Sequence, residues 1–369
     1  MKDLSFLGVF RSAIASYQEL IAYLRAMKVL TKLLFLITCV TAHCGAQTLG
    51  GRSAYNFLQL PNTPQLSALG GVNISNITGD AGMAFNNPAL LREEMSQQLH
   101  VSFNALYAGI KNYHSLFAYH VPDWQTSFAL GVHFIDYGNI AQTDASGNIL
   151  GAFHPNDYVV QLSVARRYME KWHYGLSVKY ISSNYSLYRS AALAMDAGVC
   201  YYDSARLLQV SVAMKNMGTQ LKKYPGTTGD DLPFDVQAGI TKRLRNAPVQ
   251  FSFTAHHLHQ FDLLYADTSY NAANGIGQGA GKGFTADKLF RHFVFSVQVF
   301  VTDKLEITAG YNYLLHKELV IANSPNGLTG FSLGVGALFK KLQLRYARSY
   351  YQNNLAYNQF GLNVPLNKL

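Results

Sequence analysis

Gly330-Phe-Ser332-Leu-Gly334 has the spacing of a nucleophile elbow. In that motif a serine on a sharp strand-to-helix turn attacks an acyl carbon, with a histidine as base and an acid behind it. His256-His-Leu-His259, with Asp262 close behind, groups donors that bind divalent metals. Ser182-Ser-Asn184 resembles one piece of a penicillin-binding motif, and Gly275-Ile-Gly-Gln-Gly-Ala-Gly-Lys-Gly283 has the glycine density and lysine of a phosphate-cradling loop.

Each chemistry depends on the element that carries the residues. Ser332 sits between Phe331 and Leu333 in a run of alternating hydrophobicity with no helix after it, so the serine lies flat in a strand. Ser182-Ser-Asn184 has no accompanying Ser-x-x-Lys or Lys-Thr-Gly and reads as a strand end. On a strand His257 and His259 share one face and His256 the other, so three ligands would not converge. These histidines are expected at the polar rim of a long loop, with Asp262 in reach only if the chain turns. In the glycine run, Ile276 stands where the first glycine of a phosphate loop belongs and Gly283 where the Ser or Thr belongs, leaving a flexible loop. No catalytic, cofactor or metal residue is assigned, and the chain is read as a non-enzyme.

The carrying element is clearest in His292–Tyr313. Phe293, Phe295, Val297 and Val299 alternate with Val294, Ser296 and Gln298; past Thr302–Lys304, Leu305, Ile307, Ala309, Tyr311 and Tyr313 alternate with Glu306, Thr308, Gly310 and Asn312. A period of two is a strand, and each arm has the roughly ten residues of a tilted strand crossing a bilayer. Charged residues make up only 14% while aromatics reach 13%, mostly 24 Tyr and 22 Phe. Both figures suit a surface facing lipid with rings at headgroup level. No stretch approaches the roughly 18 consecutive apolar residues of a spanning helix, so membrane crossing falls to strands.

The chain divides into an upstream extension and signal peptide over 1–46, an N-terminal plug segment over 47–96 and a barrel over 97–369. Met27–Ala46 has the signal pattern: Lys28 and Lys32, an apolar core Leu33–Val40, and Cys44-Gly45-Ala46 before cleavage. Met27 is the expected true start. Cleavage removes Cys39 and Cys44, leaving Cys200 without a disulfide partner or Cys-x-x-Cys motif. It also removes five of 30 Lys/Arg and two of 21 Asp/Glu, so +9 falls to +6 (25 against 19). That mild excess, with no basic run interleaved with stacking aromatics, excludes a nucleic-acid partner and leaves outer-membrane lipid as the first one. Within 47–96, Leu66–Gly71 is a short apolar segment, and Asp80–Leu91 suggests a short helix started by Asp80 and broken before Pro88. A barrel lumen has to be filled or left as a channel. The structural motif of the plug is placed at Asn86, Asn87, Pro88 and Ala89.

Fourteen strands are expected at 99–107, 113–121, 125–136, 156–167, 172–182, 189–202, 207–215, 233–242, 249–258, 292–301, 304–314, 328–339, 341–349 and 354–365. Links after even strands are tight: Pro122–Trp124, Tyr168–Lys171, Asp203–Arg206, Arg243–Ala247, Thr302–Asp303 and Lys340. Links after odd strands include Tyr137–Pro155, Asn216–Leu232, His259–Arg291 and Leu315–Gly327. Short turns on one side and long loops on the other mark an antiparallel barrel of the bacterial outer membrane, with periplasmic turns and external loops. Both ends of the mature chain are then expected on the periplasmic side.

Gly51-Arg-Ser-Ala-Tyr-Asn-Phe-Leu58, Leu66–Gly71, Asn86-Asn-Pro-Ala-Leu-Leu91, Lys215-Asn-Met-Gly-Thr-Gln-Leu221, Leu232-Pro-Phe-Asp235 and Thr254-Ala-His-His-Leu258 together resemble the PorQ family of the type IX secretion system of Bacteroidetes. More distantly the chain is similar to PorV and the FadL-like barrels. The resemblance implies a non-enzymatic barrel that anchors a surface attachment complex for secreted cargo, with PorU, PorV and PorZ as partners and the long loops as the partner face. The alternative it implies is a FadL-like channel for hydrophobic small molecules, gated by the plug. An apolar path with a lateral opening would favour transport and a filled interior would favour anchoring.

Overall fold

The structure, a computed structural model, describes residues 53–225, 229–263, 284–319, 327–351 and 355–368. The expected signal peptide, the glycine run 275–283 and parts of the expected loops 216–232, 259–291 and 315–327 lie outside the described residues.

Alternation converts directly into architecture. The strands are β1 (Gln98–Ala105), β2 (Lys111–Val121), β3 (Thr126–Asp136), β4 (Ile140–Thr143), β5 (Ile149–Phe153), β6 (Asn156–Tyr168), β7 (Trp172–Tyr185) and β8 (Tyr188–Asp203). They continue as β9 (Leu208–Lys222), β10 (Asp235–Arg243), β11 (Val249–Ala255), β12 (Phe293–Thr302), β13 (Leu305–Asn312), β14 (Phe331–Leu338), β15 (Gln343–Tyr350) and β16 (Ala356–Pro365). All but β4 and β5 form one closed ring of fourteen antiparallel strands, each beside its neighbour in sequence. The ring closes where β1 pairs with β16, from Gln98 opposite Pro365 to Ala105 opposite Asn358. Closure leaves no open sheet edge, which a bilayer would not tolerate.

The polarity of the ring is inverted relative to a water-soluble protein. Leu130, Leu162, Val212, Phe251 and Leu333 are exposed on the outer face, while His100, His133, Gln161, Lys179, Asp196, Glu306 and Arg345 are buried on the inner one. An apolar exterior around a polar interior is the pattern of a barrel whose solvent is lipid. No helix among the described residues is long and apolar enough to cross a membrane.

Four expectations need correction. The link after β3 carries a hairpin, β4 with β5, whose turn is built by Asp144 accepting from the backbone N–H of Ser146 and Asn148. Its residues are almost all exposed, so no apolar period signals it. β9 runs to Lys222 rather than stopping at 215, because a bulge at Asn216, in the left-handed region at φ 56°, resets the register against β8 and the strand resumes. β11 ends at Ala255, so His256–His259 lies beyond the strand. β13 stops at Asn312, whose side chain caps the short helix α1 (Tyr313–Glu318) by accepting from the Leu315 N–H at 3.1 Å.

Ser53–Met95 runs through the ring. Its contacts reach strands all around the wall: an added Cβ on Gly310 would meet the Gly70 N at 2.3 Å, on Gly175 the Pro88 C at 2.5 Å, and on Gly361 the Pro64 Cγ at 2.6 Å. Only a segment inside the ring touches β7, β13 and β16 at once. The segment is a string of short turns, several of them capped by their own side chains. Thr63 caps the helix α2 (Pro64–Ala68) through the Leu66 N–H, Asp80 caps the single-turn helix Ala81–Phe85 through the Gly82 N–H, and Asn87 caps Pro88–Leu90 through the Ala89 N–H. Leu366, near the short turns, donates to the Gln97 carbonyl, while Ser53 bridges Asp231 in the connection between β9 and β10, at the long-loop end. The segment traverses the full height of the barrel.

Candidate functional site

The inner segment is tied to the wall near the short turns by a buried ionic network. Asp80 lies 3.2 Å from His100 Nδ1 through Oδ1 and 3.2 Å from Arg345 Nη1 through Oδ2. Arg345 Nε in turn donates to Glu306 Oε1 at 2.8 Å, and Glu306 Oε2 accepts from Gln298 at 2.7 Å. Gln250 links Gln298 to Asn76. Five strands, β1, β11, β12, β13 and β15, thus converge on Asn76 and Asp80.

Asn86, Asn87, Pro88 and Ala89, the expected plug motif, are all buried at mid-height. Asn86 and Asn87 donate to the carbonyls of Asn73 and Ile74, folding the segment back on itself, and Asn86 also accepts from Lys215 of β9. Beside them Lys179 pairs with Asp196 at 2.6 Å and donates to Asn216 at 2.9 Å. The Asn216 N–H, freed by the bulge, donates to Asp196 at 2.8 Å.

Above this level the lumen opens into a cavity of about 250 Å³. Leu58, Leu60, Leu66 and Phe85 supply apolar walls, and Lys179, Lys215 and Asp235 supply charge. A second recess of about 580 Å³ lies among Tyr55, Tyr137, Tyr185, Tyr188 and Tyr224. At its base Asp157 accepts from the hydroxyls of Tyr137 at 2.6 Å and Tyr185 at 3.1 Å and from Ser183. Burial and the neighbouring Asp157 raise the Tyr137 phenol far above its ordinary value.

Ser332 is the second residue of β14 and donates to the Ala68 carbonyl at 3.0 Å, fixing the inner segment rather than meeting a histidine. Ser182-Ser-Asn184 closes β7, with Ser183 engaged on Asp157. Asp262, the acid nearest the histidine cluster in sequence, pairs instead with Lys288 at 2.6 Å. A different acid joins the histidines: Asp235, at the start of β10, has Oδ1 3.7 Å from His257 Nδ1 and 4.0 Å from His259 Nδ1. His257 sits in the left-handed region at φ 55°, so the chain turns out of the strand line just past β11, beside Asp235. Burial lowers the imidazoles of His256, His257 and His259, against an upward pull from Asp235 on the latter two. Sequence reasoning missed Asp235, Asp80, His100, Glu306 and Arg345. For His100, Glu306 and Arg345 the available signal was the rarity of ionisable residues on the small, polar face of a spanning strand; Asp80, in the inner segment, carried none.

No family model matches the chain, and no curated protein matches it. Among solved structures, the toluene transporter TodX of Pseudomonas putida aligns with 83% of this chain and 97% of its own, at 9% identity and a TM-score of 0.49. The toluene transporter TbuX of Ralstonia pickettii aligns with 84% and 98%, at 10% identity and a TM-score of 0.47. A FadL homologue of Pseudomonas aeruginosa aligns with 82% and 97%, at 12% identity and a TM-score of 0.41. Likeness of this degree says nothing of substrate or partner, and the fold stands on the strand pairing itself.

Proposed function

We propose that the chain is a non-enzymatic outer-membrane barrel that admits small amphipathic molecules at its long-loop end, with the inner segment as a plug controlling passage. The observation that carries this reading is the cavity between plug and wall. Leu58, Leu60, Leu66 and Phe85 offer an apolar surface beside Lys179 and Lys215, which suits an apolar body bearing one acidic group. Passage would then require the Asp80–Arg345–Glu306 tie to release below it.

A second reading, a surface anchor in type IX secretion, is favoured by one specific feature. The inner segment is bound to the wall along the height of the barrel, as a permanently filled interior would be. The readings separate on binding of a fluorescent fatty acid to the purified mature protein in detergent. Saturable binding that weakens about tenfold or more in Leu60→Glu, where a carboxylate would face the acid of the ligand, is the expected result. Absence of saturable binding refutes the channel reading, and co-purification of a stoichiometric surface protein would then identify the anchor.

A further inference from the structure

At the long-loop end the first residue of β10 and two residues past the end of β11 form a donor set that no hydrogen bonding explains. One ligand atom from each of Asp235, His257 and His259 lies within 4.8 Å of the others. The ring nitrogens stand 3.7 and 4.0 Å from the carboxylate, too far for hydrogen bonds. The carboxylate is nevertheless held firmly: Oδ1 accepts from the His257 backbone N–H at 2.6 Å and Oδ2 from Gln237 Nε2 at 2.6 Å. The left-handed turn at His257 and the packing of His259 on the Phe234 ring at 5.1 Å bring both imidazoles to the same carboxylate.

We propose that Asp235, His257 and His259 bind a divalent transition-metal ion, with Zn²⁺ as the best-fitting member. Bonds of about 2.0–2.2 Å to nitrogen and oxygen in a tetrahedral site put ligand atoms roughly 3.4 Å apart. The present separations close to that by small side-chain rotations. Two imidazoles with one carboxylate suit Zn²⁺ and its neighbours. Ca²⁺ requires six or more oxygens, which one carboxylate does not supply. The hydrogen bonds from Gln237 and the His257 backbone orient the carboxylate in the way that outer partners orient metal ligands. Asp235 and His257 also line the central cavity, so the fourth position opens towards it. The ion joins the start of β10 to the chain leaving β11, fixing the base of the long connection to β12 against the wall. This inference is independent of what the cavity carries.

The test is Zn²⁺ titration by calorimetry of the mature protein in detergent, purified on a tag without histidines. Co²⁺ absorption serves as a second readout of coordination number. One equivalent bound in the micromolar range or tighter, with the intense visible bands of four-coordinate Co²⁺, is expected. Affinity should fall about tenfold or more in His259→Gln, which alters an exposed side chain, and further in His257→Gln/His259→Gln. Heat-modifiable mobility on gels shows that each variant still forms the barrel. No binding to the wild type, or binding unchanged in the folded double variant, overturns the proposal.

Discussion

Replacing Arg345 by Met keeps side-chain length and removes the one guanidinium between two buried carboxylates. Arg345 contacts Asp80 at 3.2 Å and Glu306 at 2.8 Å, and the two acids are 0% and 3% exposed. The loss leaves both acids facing a space without their shared cation. Breaking a buried pair by removing one partner costs about 3–5 kcal/mol, which is roughly two to four decades in an equilibrium constant. The cost can appear in two places. The barrel ladder is closed and independent of Arg345, whereas the plug is fixed at this level by Asp80 and Asn76. The plug should therefore detach before the barrel opens. The assay is urea unfolding in detergent followed by gel mobility, in parallel with limited proteolysis of the plug. Expected is an intact barrel with new cleavage between residues 71 and 80, and partial protection restored by adding Glu306→Gln, which removes one uncompensated charge. A change below about 1 kcal/mol with unchanged protease protection would refute the reasoning, since it would mean that water in the lumen already screens both carboxylates.

Leu162 lies near the middle of β6, is 57% exposed on the outer face, and is followed in the strand by the buried Ser163. Leu162→Arg should cost about 2–4 kcal/mol in a bilayer if that face meets lipid near mid-depth; equal folding of variant and wild type into vesicles would place Leu162 elsewhere. Cysteines introduced at Leu150, in the hairpin of the first long loop, and at Trp124, in a short turn, should differ in reach of a membrane-impermeant maleimide on intact cells. Cys200 is buried and gives little background. Labelling at 124 but not at 150 would reverse the orientation of the barrel.

The ring was legible because its signal is periodic. A strand between lipid and a polar lumen has to alternate, and all fourteen alternating runs became barrel strands. What escaped lacks the period or depends on register. Ile140–Thr143 and Ile149–Phe153 expose both faces, so burial imposes no pattern on them. Lys215–Lys222 carries a bulge, after which alternation changes phase and looks like loop. The sites are harder still. Asp80 and Arg345 are separated by 265 positions, and Asp235 and His257 by 22. Nothing local says which of them meet until strand pairing brings them together. His256–His259 shows the converse: the residues drew notice, and a regular strand already puts His257 and His259 on one face, but the acid they meet is Asp235 at the start of β10 and not their sequence neighbour Asp262, which pairs with Lys288.

The path of the inner segment had a signal of its own. Glycine inside a strand sacrifices side-chain packing and pays backbone entropy, so it persists where another chain approaches closely. Gly131, Gly175, Gly198, Gly239, Gly310, Gly334 and Gly361 all occupy spanning strands, and at each an added Cβ would come within 3.0 Å of Phe85, Pro88, Asn87, Ser75, Gly70, Ala68 or Pro64 respectively. At Gly175 and Gly310 the obstacle is backbone, which cannot turn aside. The wall is therefore cut to the shape of the segment inside it, strand by strand. A segment accommodated this closely acts as part of the barrel's interior surface. Transport through the lumen would have to move it as a body, by releasing the Asp80 and Asn76 ties, rather than slip past it.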